Sequence, residues 1–196
     1  MTIPQVSRRR PWAGLDQGDK RRRVLEAATA ILTDAGLGAS MPAIAGAAGV
    51  GVGTVYRCFP SKDDLIAAIV VEQMSSVRAE IEESRQGADA GSALETMLLR
   101  LVDRQAHNNL VKAALAATSE RPEVEAAVGE VSLAWQELLD RARRDGRIRA
   151  TATTTDLRLL FAAARAAEDF GGEARERVVE LILDGLRLNG RNGAGR

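Results

Sequence analysis

The residues of this chain best equipped to meet phosphate lie in one stretch, GVGVGTVYRCFPSK, residues 49–62. Three glycines alternate with valines, and a threonine, a tyrosine, an arginine and a lysine follow. Two kinds of chemistry fit such a string. One is a glycine-rich loop that cradles a nucleotide phosphate. That loop follows a buried strand and opens a long helix. The residues before it here, MPAIAGAA, are alanine-rich and short of the β-branched residues a strand prefers, and no Gly-Lys-Ser/Thr is present. The other is a short helix laid against a duplex, as in a helix-turn-helix. That motif needs a small residue where two helices cross closely, a glycine in the turn where φ is usually positive, and apolar residues to seal a small core. Ile44, Ala45, Ala48, Gly49, Val50 and Val55 meet these needs at the right spacing. The second helix is then offered to a major groove.

The elements that must position this stretch are helices. Aromatics are 3% of the chain, alanine is abundant, and apolar residues recur at threes and fours. Val24, Ala27, Ala28, Ile31, Leu32 and Ala35 form the stripe of a first helix, stopped by Gly36 or Gly38. Ser40 is an N-cap for a short second helix that Gly49 ends, and a third spans about Gly51 to Cys58, broken by Pro60. SKDD then opens a long helix from about Lys62 to Ser84. Beyond Gly91 the pattern predicts helices around Ala93–Val102, at Leu110–Thr118, and from Pro122 to Gly146, with a break at Asn108 and Asn109. Thr155 is read as the cap of the next, and Gly171 and Gly172 separate it from the last, which carries Val178, Val179, Ile182, Leu183 and Leu186. The count is nine helices and no sheet, an all-α protein.

Charge is divided unevenly along the chain. The net charge is zero, from 27 basic and 27 acidic residues, yet residues 1–62 hold nine Lys/Arg against four Asp/Glu. A basic head suits a polyanion, although charge alone is also compatible with an accidental split. Arg8-Arg9-Arg10 and Lys20-Arg21-Arg22-Arg23 fit either a DNA-facing role or plain solvated charge. Cys58 is the single cysteine and His107 the single histidine. That excludes an intrachain disulfide, argues against a structural zinc site, and leaves few players for nucleophilic catalysis. No cofactor or metal is expected, and Cys58 is read as packing in preference to a redox switch. With no apolar run of ~18 residues and no secretory signal, the expected place is the cytoplasm, away from membranes.

Ile44-Ala45, Ala48-Gly49-Val50, Thr54-Val55-Tyr56, Phe59, Ser61-Lys62 and Leu65 together resemble the signature of the TetR family of transcriptional regulators. VYR-F-P and the late segment GRIRATATTTDL resemble the subgroup with an SbtR-like C-terminal domain. The resemblance implies a ligand-responsive DNA-binding regulator, by default a repressor released from a palindromic operator by a small molecule. A helical enzyme, or a helical protein-interaction scaffold using the motif only for packing, is the rival reading. Carried over by position, the hydroxyls of Thr54 and Tyr56 and the ammonium of Lys62 meet DNA phosphates, Ser40 sits near phosphate, and Arg57 reaches the duplex. The chain departs from the family where Gly51 replaces a hydroxyl cap, and where Val52 and Gly53 replace side chains that often read bases.

The implied organisation is a flexible basic arm at 1–18, the DNA-binding domain at 19–66, a helical effector-binding and dimerisation domain at 67–189, and a disordered tail at 190–196. The resemblance also implies a pocket in the body, with Met97, Leu101, His107, Trp135 and Phe161 as candidate lining; each fits plain core as well. Small and branched residues on the last two helices, Ala163, Ala167, Val178, Ile182 and Leu186, are the candidate homodimer interface. The alternative for these five is the core of a monomer.

Overall fold

The computed structural model describes residues 12–86, 89–106 and 109–187. Among them are nine α-helices: α1 (Gln17–Ala35), α2 (Met41–Ala48), α3 (Val52–Cys58), α4 (Lys62–Ser84), α5 (Ala90–Ala106), α6 (Asn109–Thr118), α7 (Pro122–Arg144), α8 (Thr154–Ala166) and α9 (Gly172–Leu186). Short 3-10 turns cover Trp12–Gly14 and Ala167–Phe170. The described residues form no sheet; one isolated bridge pairs Ile148 with Arg187. The all-α expectation therefore holds. Of the expected basic arm at 1–18, residues 1–11, and with them Arg8-Arg9-Arg10, lie outside the described residues, whereas 12–18 hold a 3-10 turn and the start of α1. The expected tail at 190–196 also lies outside the described residues.

The chain divides into two compact units. The first holds residues up to Val70 together with Leu110–Ser119, and the second holds Val71–Asn109 and the chain from Glu120 on. The partition differs from a single cut after residue 66, because Leu110 of α6 is buried in the core that Val24, Ile44, Val55, Phe59 and Leu65 form.

In the first unit local chemistry sets each boundary. The Asp16 carboxylate accepts from the Asp19 N–H at 2.7 Å and starts α1; Gly36, at φ 71°, ends it. Ser40 caps α2, its hydroxyl accepting from the Ala43 N–H at 3.3 Å, with Pro42 tolerated in the first turn. Gly49 closes α2 in the left-handed region, φ 72° and ψ 34°, which only glycine enters without strain. The chain can then turn at once into α3. Ser61 and Asp64 form a reciprocal cap at the start of α4: the Asp64 N–H donates to the Ser61 hydroxyl, and the Ser61 N–H donates to the Asp64 carboxylate, each at 3.0 Å.

In the second unit α5, α7, α8 and α9 close over Leu94, Leu98, Leu138, Leu139, Leu160 and Val179. The later turns of α4 add Ile81 to this core and are tied down by ion pairs. Glu80 accepts from Arg104 at 2.7 Å, Arg78 lies 3.3 Å from Glu130, and Arg85 pairs with Glu137. The hydrogen bond from Arg104 holds the Glu80 carboxyl below its ordinary range. The cap of α8 is Thr153, not Thr155. Its hydroxyl accepts from the Asp156 N–H, and the Asp156 carboxylate accepts from both the N–H and the hydroxyl of Thr153. Threonines at 151, 153, 154 and 155 offer several caps to a pattern reader. The one that wins has an acid three residues on, which completes the box.

The Thr153 hydroxyl holds the Asp156 carboxyl below its ordinary 3.8. A depressed carboxylate pKa stabilises the fold above the unfolded value, and that contribution is lost as pH falls through the folded one. Asp156→Asn should therefore lower the urea midpoint at pH 7, by an amount equivalent to about 1 kcal/mol. The gap from wild type should shrink below about pH 4. Equal midpoints at pH 7 would show that the box contributes nothing.

Candidate nucleic-acid interface

α3 is a helix that its own sequence barely supports. It has seven residues, and Gly51 at its N-cap brings no side-chain hydrogen bond. Gly53 inside it costs ~1 kcal/mol relative to alanine. Helices this short do not persist alone in water. Tertiary contacts hold it instead. Val55 and Phe59 are fully buried, and truncating such a phenylalanine costs about 3–5 kcal/mol. Arg21 of α1 completes the hold. Its Nη1 donates to the Cys58 carbonyl at 2.8 Å, and its guanidinium lies over the Phe59 ring, 4.1 Å from the centroid. One cation thus satisfies a carbonyl at the end of α3 and stacks on the residue that anchors it. Cys58 is half-buried against the same core, in keeping with packing.

The outer face of α3 is open. Val52 and Tyr56 are 40% and 47% exposed. A Cβ placed on Gly51 or Gly53 would meet no atom within 4 Å, and neither residue has a positive φ. The fold itself therefore does not require glycine at either position. Arg57 donates to the Thr54 hydroxyl at 3.2 Å, which turns the two side chains toward each other across one helical turn. Lys62 opens α4, half-buried. The side chains of Tyr56 and Lys62 have no hydrogen-bond or ion-pair partner among the described residues, and Arg57 is bonded to no carboxylate there. Ser40 is exposed at the head of α2, its hydroxyl engaged in the cap. All seven residues expected to meet DNA, Ser40, Val52, Gly53, Thr54, Tyr56, Arg57 and Lys62, fall in the first unit, on α3 or at the starts of α2 and α4. The part played by Arg21 was hidden in a run of four basic residues. The signal available was its place three residues before Val24, on the flank of the buried stripe.

In the second unit Met97, Leu101 and Trp135 are packed in the core, and Phe161 lies partly buried against it, its ring centroid 6.3 Å from that of Trp135. His107 lies outside the described residues. An open groove of about 430 Å³ runs between α5 and α9 over Leu99, Val102, Val179 and Leu183. It shares no lining residue with the five expected ones. Of the candidate dimer residues, Ala163, Val178 and Ile182 are half-buried, whereas Ala167 and Leu186 are buried within the unit. The large apolar side chains left bare on and beside these helices are Leu159, Phe170 and Leu181, at 62%, 83% and 54% exposure. Leu159 and Leu181 continue the stripes through Ala163 and Val178 at spacings of four and three, and Phe170 ends the 3-10 turn between the two helices. The sequence reading missed them because core and interface share that spacing.

Comparison with known proteins gives a consistent result. The profile of the bacterial regulatory proteins of the tetR family matches residues 24–69, and that of the SbtR-like C-terminal domain of transcriptional regulators matches residues 89–188. The chain is 35% identical over 101 residues to the HTH-type transcriptional repressor KstR of Mycobacterium tuberculosis (strain ATCC 25618 / H37Rv). That match covers 50% of this chain and 46% of the repressor, so it spans about half of each. Among solved structures, a TetR transcription regulatory protein from Mycobacterium vanbaalenii is 31% identical, covering 88% of this chain and 98% of that one with a TM-score of 0.67. A structure described as the molecular basis for control of antibiotic production by bacterial hormones is 30% identical, covering 86% and 98%, with a TM-score of 0.68.

The grip of Arg21 on α3 depends on a planar cation. Arg21→Lys should lower the melting temperature by a few degrees, about the effect of losing one charged hydrogen bond and its stacking. A lysine variant that melts with wild type would show that the contact adds nothing.

Proposed function

The chain belongs to the TetR family of bacterial regulatory proteins, and on that footing we propose that it is a transcriptional repressor that binds a two-fold operator as a homodimer and leaves it when a small molecule binds its second unit. One observation carries the DNA reading. A helix too weak to stand alone is bolted into a core so that an exposed tyrosine shares one unit with an arginine and a lysine that have no carboxylate partner among the described residues. Side chains of this kind position a protein on phosphates. Val52 is the apolar contact for thymine methyls, and with glycines on either side of it the readout leans on Arg57 and on DNA shape.

The dimer reading rests on the bare stripe of α8 and α9. Leu159, Phe170 and Leu181 beside Ala163, Val178 and Ile182 leave an apolar face that a second copy of the same pair would cover as a four-helix bundle. Two linked half-site binders gain effective concentration that a monomer lacks. The effector reading rests on the family and on the neighbour described with a bacterial hormone. A ligand seated against Met97, Leu101, Trp135 and Phe161 has to part a packed core, while the groove between α5 and α9 is already open. Because α4 contributes residues to both units, a ligand that favours a different position of α4 changes how Lys62 is offered to DNA. It weakens DNA only by its differential affinity for the two states, typically about 1–3 kcal/mol.

The test of function is selection of bound fragments from total genomic DNA by the purified chain. A palindromic site should emerge, and Lys62→Ala should bind it, and mixed-sequence duplex too, more weakly, with a salt slope lower by ~0.9. Selection that enriches no site would overturn the reading. Leu181→Asp should yield monomers with poor affinity for the selected site; a Leu181→Asp protein that sediments as a dimer would place the interface elsewhere.

A further inference from the structure

A cleft of about 600 Å³ lies on the flank of α3, within the first unit. One wall is the 3-10 turn at Trp12 and the first turns of α1, which contribute Lys20; the other is Gly51, Thr54 and Arg57. No carboxylate among the described residues lines it. The cations on its two sides, Lys20 and Arg57, come from different helices. The four basic residues at the start of α1 are not equivalent. Arg21 is committed to Cys58 and Phe59, Arg22 to Asp19 at 2.5 Å, and Arg23 lies over the Trp12 ring, 5.6 Å from its centroid. The Lys20 ammonium has no hydrogen-bond or ion-pair partner among the described residues, although its side chain is half-buried. A lysine held between walls and left unpaired is a charge waiting for an anion. The open space at Gly51 belongs to the same picture: a Cβ there would meet nothing, so the cleft is open on the side of α3.

We infer that this cleft seats a stretch of one DNA strand, with its phosphodiesters held between Lys20 on one wall and Thr54 and Arg57 on the other. The inference rests on the regulator reading and extends it to a helix outside the helix-turn-helix. A phosphodiester chain fits the chemistry on three counts. It is anionic at every step, so it can meet the cations of both walls at once, it is thin enough to lie in an open cleft, and its sugar edges pack against an aromatic ring such as Trp12 and against bare backbone. Contacts of this kind carry no base preference, so Lys20 sets affinity and register for every sequence alike.

The experiment compares wild type with Lys20→Gln and Lys20→Arg, titrated with the selected site and with a mixed-sequence duplex between 50 and 200 mM KCl. Lys20→Gln should weaken both duplexes by the same factor and lower the salt slope by ~0.9, and Lys20→Arg should restore both. The melting temperature of Lys20→Gln should match wild type, because Lys20 has no hydrogen-bond or ion-pair partner among the described residues to lose. Gly51→Leu, which narrows the cleft, should weaken both duplexes while leaving the protein folded. Orthophosphate up to the same ionic strength should compete no better than chloride, since a single phosphate spans only part of the cleft. A wild-type slope and affinity in Lys20→Gln would overturn the assignment; so would competition by orthophosphate well beyond its ionic strength, which would make the cleft a site for a small anion. A wild type that binds neither duplex would instead sink the regulator reading itself.

Discussion

The stacked contact of Arg21 with Phe59, and the bond from the same guanidinium to the Cys58 carbonyl, are what the recognition face depends on. α3 has a glycine inside it and another at its cap, and its local support is slight. Phe59 gives it an anchor in the core, and Arg21 fixes the end where it leaves the core. With that hold in place, the first turns of α3 can do without the side chains that usually support a helix. The cost is intrinsic propensity. The gain is an outer surface whose backbone is bare beside Val52, with cations placed around it.

The same economy runs through the first unit. Ser40 and Ser61 use their hydroxyls in caps that start α2 and α4 at defined places, so the entries to these two helices follow from turn chemistry, while α3 between them is held by long-range contacts. Gly49 is the one residue in this motif whose glycine identity is forced by backbone conformation. The second unit is built differently. Its helices close over a large aliphatic core, and long arginine–carboxylate pairs tie α4 to α5 and α7 at its rim. Exposed pairs of that kind add little stability each.

Much of this was legible in the residues. The helix-turn-helix could be read because each of its requirements is local: a glycine at the turn, small residues at the crossing, a serine at each cap. Ser40, Gly49 and Ser61 do what their types imply. The helix periods also gave the right number of elements. What could not be read depends on which of several equivalent residues wins a partner. Thr153 caps α8 because Asp156 completes its box, a contest that a run of threonines leaves undecided. Ala167 and Leu186 share the spacing of Ala163 and Ile182 and yet point inward, since one helical stripe serves both the core and an interface. Arg21 and Lys20 are neighbours in a uniform basic run, and only the positions of Phe59 and Cys58 divide one from the other.

Amide hydrogen exchange of the whole protein, with and without the selected duplex, addresses the central claim most directly: that this outward face, carried by α3 and flanked by Lys20 and Lys62, is where the protein meets DNA. The account predicts added protection concentrated in residues 52–57, at the first turn of α4 and in the first turns of α1. Protection that leaves 52–57 unchanged and gathers on another surface would contradict it.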